Sequence, residues 1–379
     1  MASSSSSPIK VGFVGLSATG WAATVSGPAL LQPSLRDSYD LVAVSTSSEA
    51  SAKASAEKYG KDVGHPVKAY YGSTSKIASD PDIDLVAISV KAMYHREAAL
   101  PVLEAGKNLF LEWPAGACLE DTKTLAAAAR RKGVKTVIGL QGRQIRTIAK
   151  VKELLASGVI GTIRSSNVIL NTGRDFPAWT PLVIENNRYT HTKKNGAALL
   201  DIPMGHFLDL FTYTLGDFVN VSATHANVYT EAGILGDDGK PTGEIIKSDI
   251  PDHFSVAGFL KSGALVNIFW RAGYKSGEGT GRQQFVWEID GEEGTIRMES
   301  DDLMGWFPSG CEPDLFLNGK KVEVDTLKNL VEILASGWRA FAKRETTYAT
   351  IEDAVKIRTL LQAIDESATE GHKVDVVYD

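Results

Sequence analysis

The chain has 379 residues, 43% hydrophobic and 23% charged, with 40 Lys and Arg against 46 Asp and Glu. That length accommodates two domains with sizeable cores, and a net charge of −6 with a pI near 5.7 leaves no basic footprint for direct nucleic-acid binding. Two cysteines exclude a disulfide framework and point to a reducing compartment, the cytoplasm, and no apolar run reaches the roughly 20 residues of a membrane span.

The chain opens on MASSSSSP, with neither a basic n-region nor an apolar core. It reads as a disordered tail over residues 1–8 and not as a secretory signal. Short β-branched runs then alternate with helical patterns. Strands are expected at residues 11–15, 41–44, 84–90, 108–111 and 136–141, with helices at 48–59, 95–105 and 119–132, the last closed by Gly133. Alternation at this spacing predicts a doubly wound parallel sheet of Rossmann type over residues 9–145. A bridging helix at 146–157 leads to longer alternating runs at 165–171, 219–229, 253–260, 264–272, 284–290 and 295–299. Helices at 196–214 and 350–367 accompany them. Residues 146–379 therefore read as an α/β domain with a large, mostly antiparallel open sheet.

The first strand runs into VGFVGLSATGWA at residues 11–22. Gly15, Ser17 and Gly20 occupy the three positions of a G-x-G-x-x-G turn, with Ala18 and Thr19 between the last two. Such a turn brings backbone N–H groups against a pyrophosphate at a helix start. Serine is the smallest substitute at the middle position. The second strand ends in Thr46, Ser47 and Ser48, with no carboxylate before Glu49. A carboxylate there would hold an NAD ribose and repel a 2′-phosphate, whereas hydroxyls can donate to one. With Lys53 one turn further on, the site favours NADP(H) over NAD(H). The same hydroxyls also suit the cap of the next helix.

The segments at 12–20, 103–114 (LEAGKNLFLEWP), 154–163 (LLASGVIGTI) and 196–209 (GAALLDIPMGHFLD) together resemble the glucose–fructose oxidoreductase/inositol dehydrogenase family, Gfo/Idh/MocA. Within it, FLEWPA at 110–115, GLQGR at 139–143, Gly205-His206-Phe207 and IPDH at 250–253 look most like the branch of fungal repressors of the galactose genes. The resemblance implies a Rossmann domain followed by a domain whose sheet forms the interface of a homodimer or homotetramer. It also implies that Val90, His95, Glu112 and Trp113 lie beside the nicotinamide.

The family usually has Glu-Lys-Pro where this chain has Glu112-Trp113-Pro114, and its lysine does acid/base work. Trp113 cannot transfer protons, but it can stack on a ring. Lys91 and Tyr94, in the loop after the third strand, are the candidate replacements. The family's other motif places Asp and His on one helix with three residues between them. Here Asp201 and His206 have four between them, and Pro203 interrupts the run. Asp209 is one helical turn beyond His206 and is placed to orient it. His206, with an ordinary histidine pKa near neutral, is the candidate acid/base. Arg143 is placed for a substrate oxygen or a carboxylate, and Phe176, Trp179 and Tyr189 for a pocket wall.

No histidine spacing suggests a metal. The first functional reading is an NAD(P)-dependent oxidoreductase on a sugar, polyol or other alcohol or carbonyl compound. The alternative is a dinucleotide-binding transcriptional regulator without redox turnover, located in the nucleus.

Overall fold

The computed structural model describes residues 7–277 and 279–378. The chain divides into two compact units, Met1–Gln144 with Asn329–Val355, and Ile145–Lys328 with Lys356–Asp379. The single cut expected at residue 145 is therefore only half of the division, because residues 329–355 return to the first unit. Most of the expected tail, residues 1–6, lies outside the described residues.

The first unit is built on six parallel strands, β1 (Ile9–Val14), β2 (Tyr39–Thr46), β3 (Lys68–Tyr71), β4 (Leu85–Ile88), β5 (Asn108–Leu111) and β6 (Thr136–Ile138), in the order β3-β2-β1-β4-β5-β6. This is the doubly wound dinucleotide-binding order, in which ligands lie beyond the carboxyl ends of the strands. Strands β1 and β4 are almost wholly buried, so they read as continuous apolar runs. The helices Glu49–Val63 and Leu119–Lys132 end at Gly64 and Gly133, both left-handed. Strand β3 left no clear trace in the sequence because KAYY is short and largely exposed at the sheet edge.

The returning segment contributes the helix Leu330–Ala342. Its Trp338 stacks on Phe110 at a centroid separation of 4.5 Å and meets Tyr39 edge-on at 5.2 Å. Leu334, Ala335 and Phe341 join the same buried cluster as Val11, Phe13 and Leu85. The apolar face of this helix completes the first core.

The second unit carries nine strands in one sheet: β7 (Ile163–Gly173), β9 (Phe218–Ala226), β12 (His253–Leu260), β13 (Leu265–Tyr274), β14 (Phe285–Gly291), β15 (Thr295–Ser300), β16 (Asp314–Leu317), β17 (Lys320–Val322) and β18 (Val374–Asp375). Three further strands, β8 (Leu182–Ile184), β10 (Glu231–Leu235) and β11 (Pro241–Lys247), make a separate small sheet. The large sheet is antiparallel apart from β7 and β13, which run parallel. Its buried face meets the helix Gly205–Leu215, where Phe207 and Phe211 pack on Trp270 and Trp287. No helix among the described residues is long and apolar enough to cross a membrane.

Candidate functional site

In the first unit the turn after β1 is closed by backbone geometry that only glycine satisfies. Gly15 has φ +88°, and a Cβ there would stand 2.1 Å from the carbonyl oxygen of Ser89. Its N–H donates to Ser45 O at 2.8 Å. Gly20 is also left-handed at φ +89°, but a Cβ there meets nothing within 4 Å. Ala18, Thr19 and Gly20 are exposed, while Ser17 is half-buried, its hydroxyl turned onto Thr19 O at 2.8 Å and its carbonyl accepting from Tyr59 Oη at 3.1 Å. The turn has the cradle and the open backbone that a pyrophosphate requires.

The helix it opens begins as a π turn, Ala22–Ser26, and continues as Gly27–Leu30. A Cβ at Gly27 would lie 2.7 Å from Leu16 Cδ1, so the close packing of the helix on the turn after β1 also depends on glycine.

At the end of β2, Thr46 Oγ1 donates to Ser48 O at 3.2 Å, and Ser48 Oγ caps the next helix by accepting from Ser51 N at 3.3 Å. Ser47 is exposed. The capping role expected of these hydroxyls is realised. Lys53, expected to add free positive charge, is paired with Glu49 at 2.8 Å.

Glu112 is buried beneath the dinucleotide turn. It accepts from Ser26 Oγ at 2.5 Å and Trp21 Nε1 at 3.3 Å, and burial raises its pKa from 4.5 to about 7 against the pull of those donors. Its polar atoms thus serve the fold of the turn. His95 corrects the expectation in the same way. It is 1% exposed, with Nδ1 2.6 Å from Pro114 O and Nε2 2.9 Å from Val90 O. Both ring nitrogens face backbone carbonyls, and the N–H of the ring donates to one of them, so the ring is wedged between the loop after β4 and the turn after β5.

Trp113 is 5% exposed and precedes a cis Pro114. Lys91 immediately precedes the short turn Ala92–Tyr94 and is half-buried. Tyr94, 54% exposed, immediately precedes the helix His95–Glu104, and neither side chain caps the element that follows. Arg143 pairs with Asp353 at 3.0 Å, so of its two expected partners it has the carboxylate.

In the second unit the segment Leu200–Met204 is a π turn leading into the helix Gly205–Leu215. Asp201 is bound to the buried Arg358 and accepts from Ala198 N at 3.0 Å. It anchors the segment. His206 is 7% exposed, its ring edge-on to Phe307 at 5.1 Å, and its Nδ1 has no hydrogen-bond partner. Asp209 is fully buried but does not engage that nitrogen. Desolvation lowers the His206 pKa from 6.5 to about 3, which overturns the expectation of a near-neutral titration: the imidazole is uncharged at physiological pH.

Beyond Phe307 lies an aromatic cluster. Trp306 is 5.7 Å from Phe307, Phe176 meets Trp306 edge-on at 4.8 Å, and Trp179 stacks on Phe176 at 5.7 Å. Trp179 holds a left-handed φ of +54° and donates to Ala197 O at 2.8 Å. Phe176 and Phe307 are half-buried, and Trp306 Nε1 is buried without a partner. Trp306 and Phe307 escaped the sequence reading because they lie about a hundred residues from His206 with no local motif. Tyr189 is half-buried in the turn Glu185–His191. One trio with metal-ligand geometry exists among the described residues, Glu366, Glu370 and His372, with ligand atoms within 4.8 Å of one another and all three exposed.

The model of the oxidoreductase family with an NAD-binding Rossmann fold, Gfo/Idh/MocA, matches residues 9–140, and that of the Gal80p C-terminal domain matches residues 147–300. The "Dehydrogenase aclE" of Aspergillus oryzae is 30% identical over 380 residues, spanning 98% of this chain and 99% of that protein. The chain belongs to the Gfo/Idh/MocA family. The galactose/lactose metabolism regulatory protein GAL80 of Saccharomyces cerevisiae, another relative of this family member, is 30% identical over 78% of the chain and 67% of its own length. A crystal structure of a super-repressor mutant of Gal80p from the same yeast has the same fold, with a TM-score of 0.85 at 24% identity over 98% of both chains. As a Gfo/Idh/MocA protein the chain has a Rossmann unit of the nicotinamide-dinucleotide kind, and the cradle at Gly15 fits that group. Its relatives include both dehydrogenases and repressors.

Proposed function

We propose that the protein is an NADP(H)-dependent oxidoreductase acting on a small alcohol or carbonyl compound of sugar, polyol or related type. The observation that carries this reading is His206, a neutral imidazole with an unpartnered Nδ1 beside half-buried aromatic rings. An unmet hydrogen-bonding group in an apolar setting is costly, and a substrate oxygen would satisfy it. A neutral imidazole polarises a carbonyl by donating a hydrogen bond to it, so His206 need not titrate to act. Bound at Gly15, Ser17, Ala18, Thr19 and Gly20, the dinucleotide supplies a hydride donor or acceptor. Phe176 and Phe307 offer ring faces to the substrate body, and Trp113 stacks on a ring. The preference for the 2′-phosphorylated cofactor rests on Thr46, Ser47 and Ser48 at the end of β2. Lys91 and Tyr94 remain the groups proposed to replace the family's lysine. We place the subunit interface on the open face of the nine-stranded sheet, and the protein in the cytoplasm.

The test is NADPH consumption and NADP⁺ reduction with a panel of aldoses, polyols and cyclic ketones. Turnover that falls in His206→Ala supports the reading. Binding of NADPH without turnover of any of these compounds overturns it.

A second reading is supported by Trp113 at the family's lysine position. There the protein is a dinucleotide-sensing regulator acting through a protein partner in the nucleus, as the resemblance to the repressors suggests. NADPH-dependent capture of a defined partner, with no turnover, is its signature.

A further inference from the structure

The end of β2 is surrounded by groups that the serine and threonine hydroxyls do not account for. Strand β3 pairs in register with β2, so that Tyr71 lies opposite Thr46, and Gly72 N donates to Thr46 O at 3.1 Å. This register brings Tyr71, 38% exposed, to the tip of β2. Lys76, in the short helix Ser75–Ala78, holds its ammonium 4.6 Å from the centre of the Tyr71 ring. From the other side, Lys53 bonds Glu49 at 2.8 Å. The Glu49 carboxyl is held below its usual range chiefly by Lys53, with Tyr71 and Lys76 acting in the same direction. One carboxylate bonded to Lys53 thus lies in the field of the Lys76–Tyr71 pair, at the place where a Rossmann fold meets the ribose 2′ position.

We propose that Glu49 is a resident stand-in for the cofactor's 2′-phosphate: the phosphate displaces its carboxylate and takes over Lys53, Lys76 and Tyr71. The inference rests on the NADP(H) reading above and extends it to residues of β3 and the helix after it. The chemistry favours the exchange. A phosphate monoester carries about 1.5 to 2 negative charges at neutral pH and three acceptor oxygens, against one charge and two oxygens for the carboxylate. Two lysines and a phenol match the phosphate better. NAD(H) has no group to displace Glu49, so the carboxylate keeps its partners and contributes nothing to discrimination against that cofactor. An acidic residue near the ribose here acts as a removable competitor, the opposite of an acid that holds the ribose hydroxyls.

The experiment is calorimetric titration of the full chain with NADPH and with NADH, for wild type, Glu49→Gln, Lys76→Met and Tyr71→Phe. Glu49→Gln is expected to tighten NADPH about threefold to tenfold, by removing the competing charge, and to leave NADH unchanged. Lys76→Met is expected to weaken NADPH about tenfold and to flatten its salt dependence, again without effect on NADH. Weaker NADH binding in Glu49→Gln would show that the carboxylate holds ribose and would overturn the inference. So would equal effects of Lys76→Met on both cofactors. If wild type prefers NADPH yet Glu49→Gln does not tighten it, the stand-in role alone falls and the NADP(H) assignment survives. If wild type prefers NADH, the assignment itself falls. Thermal melts of each variant without cofactor exclude misfolding, because Lys76 and Glu49 are exposed and their loss costs the fold little.

Discussion

Replacing Glu112 by glutamine isolates one buried titration and tests the electrostatics beneath the dinucleotide turn. The carboxyl is 7% exposed, and burial raises its pKa from 4.5 to about 7. The folded protein therefore binds this proton more tightly than the unfolded chain does. That advantage is complete below about pH 4.5 and is lost as the pH rises through 7. At about 1.4 kcal/mol per tenfold change, the loss from the acid to the alkaline side is about 3 kcal/mol. Above pH 7 the fold holds a buried carboxylate whose donors, Ser26 and Trp21, do not repay its desolvation. Glu112→Gln keeps the shape and an acceptor oxygen but abolishes the titration. Its stability relative to wild type should rise by about 3 kcal/mol between pH 4.5 and pH 8. Urea unfolding followed by circular dichroism across that range measures the difference. The comparison with wild type is essential, because His206 and His191, lowered by burial to about 3 and about 4, shift stability the other way below pH 6.5. Parallel pH curves for the two proteins would refute the reasoning.

Gly15→Ala should abolish NADPH binding and lower the melting temperature by several degrees, since it adds a collision with Ser89 O to left-handed strain. Gly20→Ala carries only the strain, about 1 to 2 kcal/mol, and equal losses in the two variants would remove the steric argument. His206→Gln should reduce turnover about 100-fold, the size of a lost electrostatic contact to a developing oxyanion. The pH–rate profile of wild type should show no inflection near 6.5 that this variant removes, because the imidazole is already neutral there; finding one would restore His206 as a titrating acid/base. Trp113→Ala and Trp113→Lys should each weaken substrate or dinucleotide binding about fivefold, a stacking loss of about 1 kcal/mol. Unchanged affinity in both would remove Trp113 from the site.

The parallel sheet was legible because burial on both faces writes itself as unbroken apolar runs, as in β1 and β4, and because Gly133 closes a helix where a left-handed residue is needed. Strand β3 left no such trace, being four largely exposed residues on an edge. The helix Leu330–Ala342 had a readable start: Asn329 caps it by accepting from Glu332 N at 3.0 Å, an Asn-x-x-Glu pattern before an apolar run. Its return to the first unit was not readable, because sequence order suggests a single domain boundary and only packing on Phe110 and Tyr39 shows otherwise. The same limit applies to function. The glycine turn is a local motif and was found. The burial of His95 between two carbonyls and the neutrality of His206 are set by residues far along the chain. The Trp306–Phe307 wall reaches His206 by the same long-range route.

The spacing of Asp201 and His206 has a local cause in the backbone. Pro203 has no N–H, so the carbonyl of Leu199 receives no bond from its usual partner four residues on. Met204 N takes that carbonyl instead, five residues on and at 3.1 Å, and the helix widens into a π turn for one cycle. One extra residue is absorbed there, and the helix resumes at Gly205 with His206 in its first turn. The two motif residues then part in role. Asp201 is fixed by Arg358 and by Ala198 N, which secures the turn, whereas His206 keeps an open nitrogen against Phe307. A second π turn, Ala22–Ser26, opens the helix after the dinucleotide cradle.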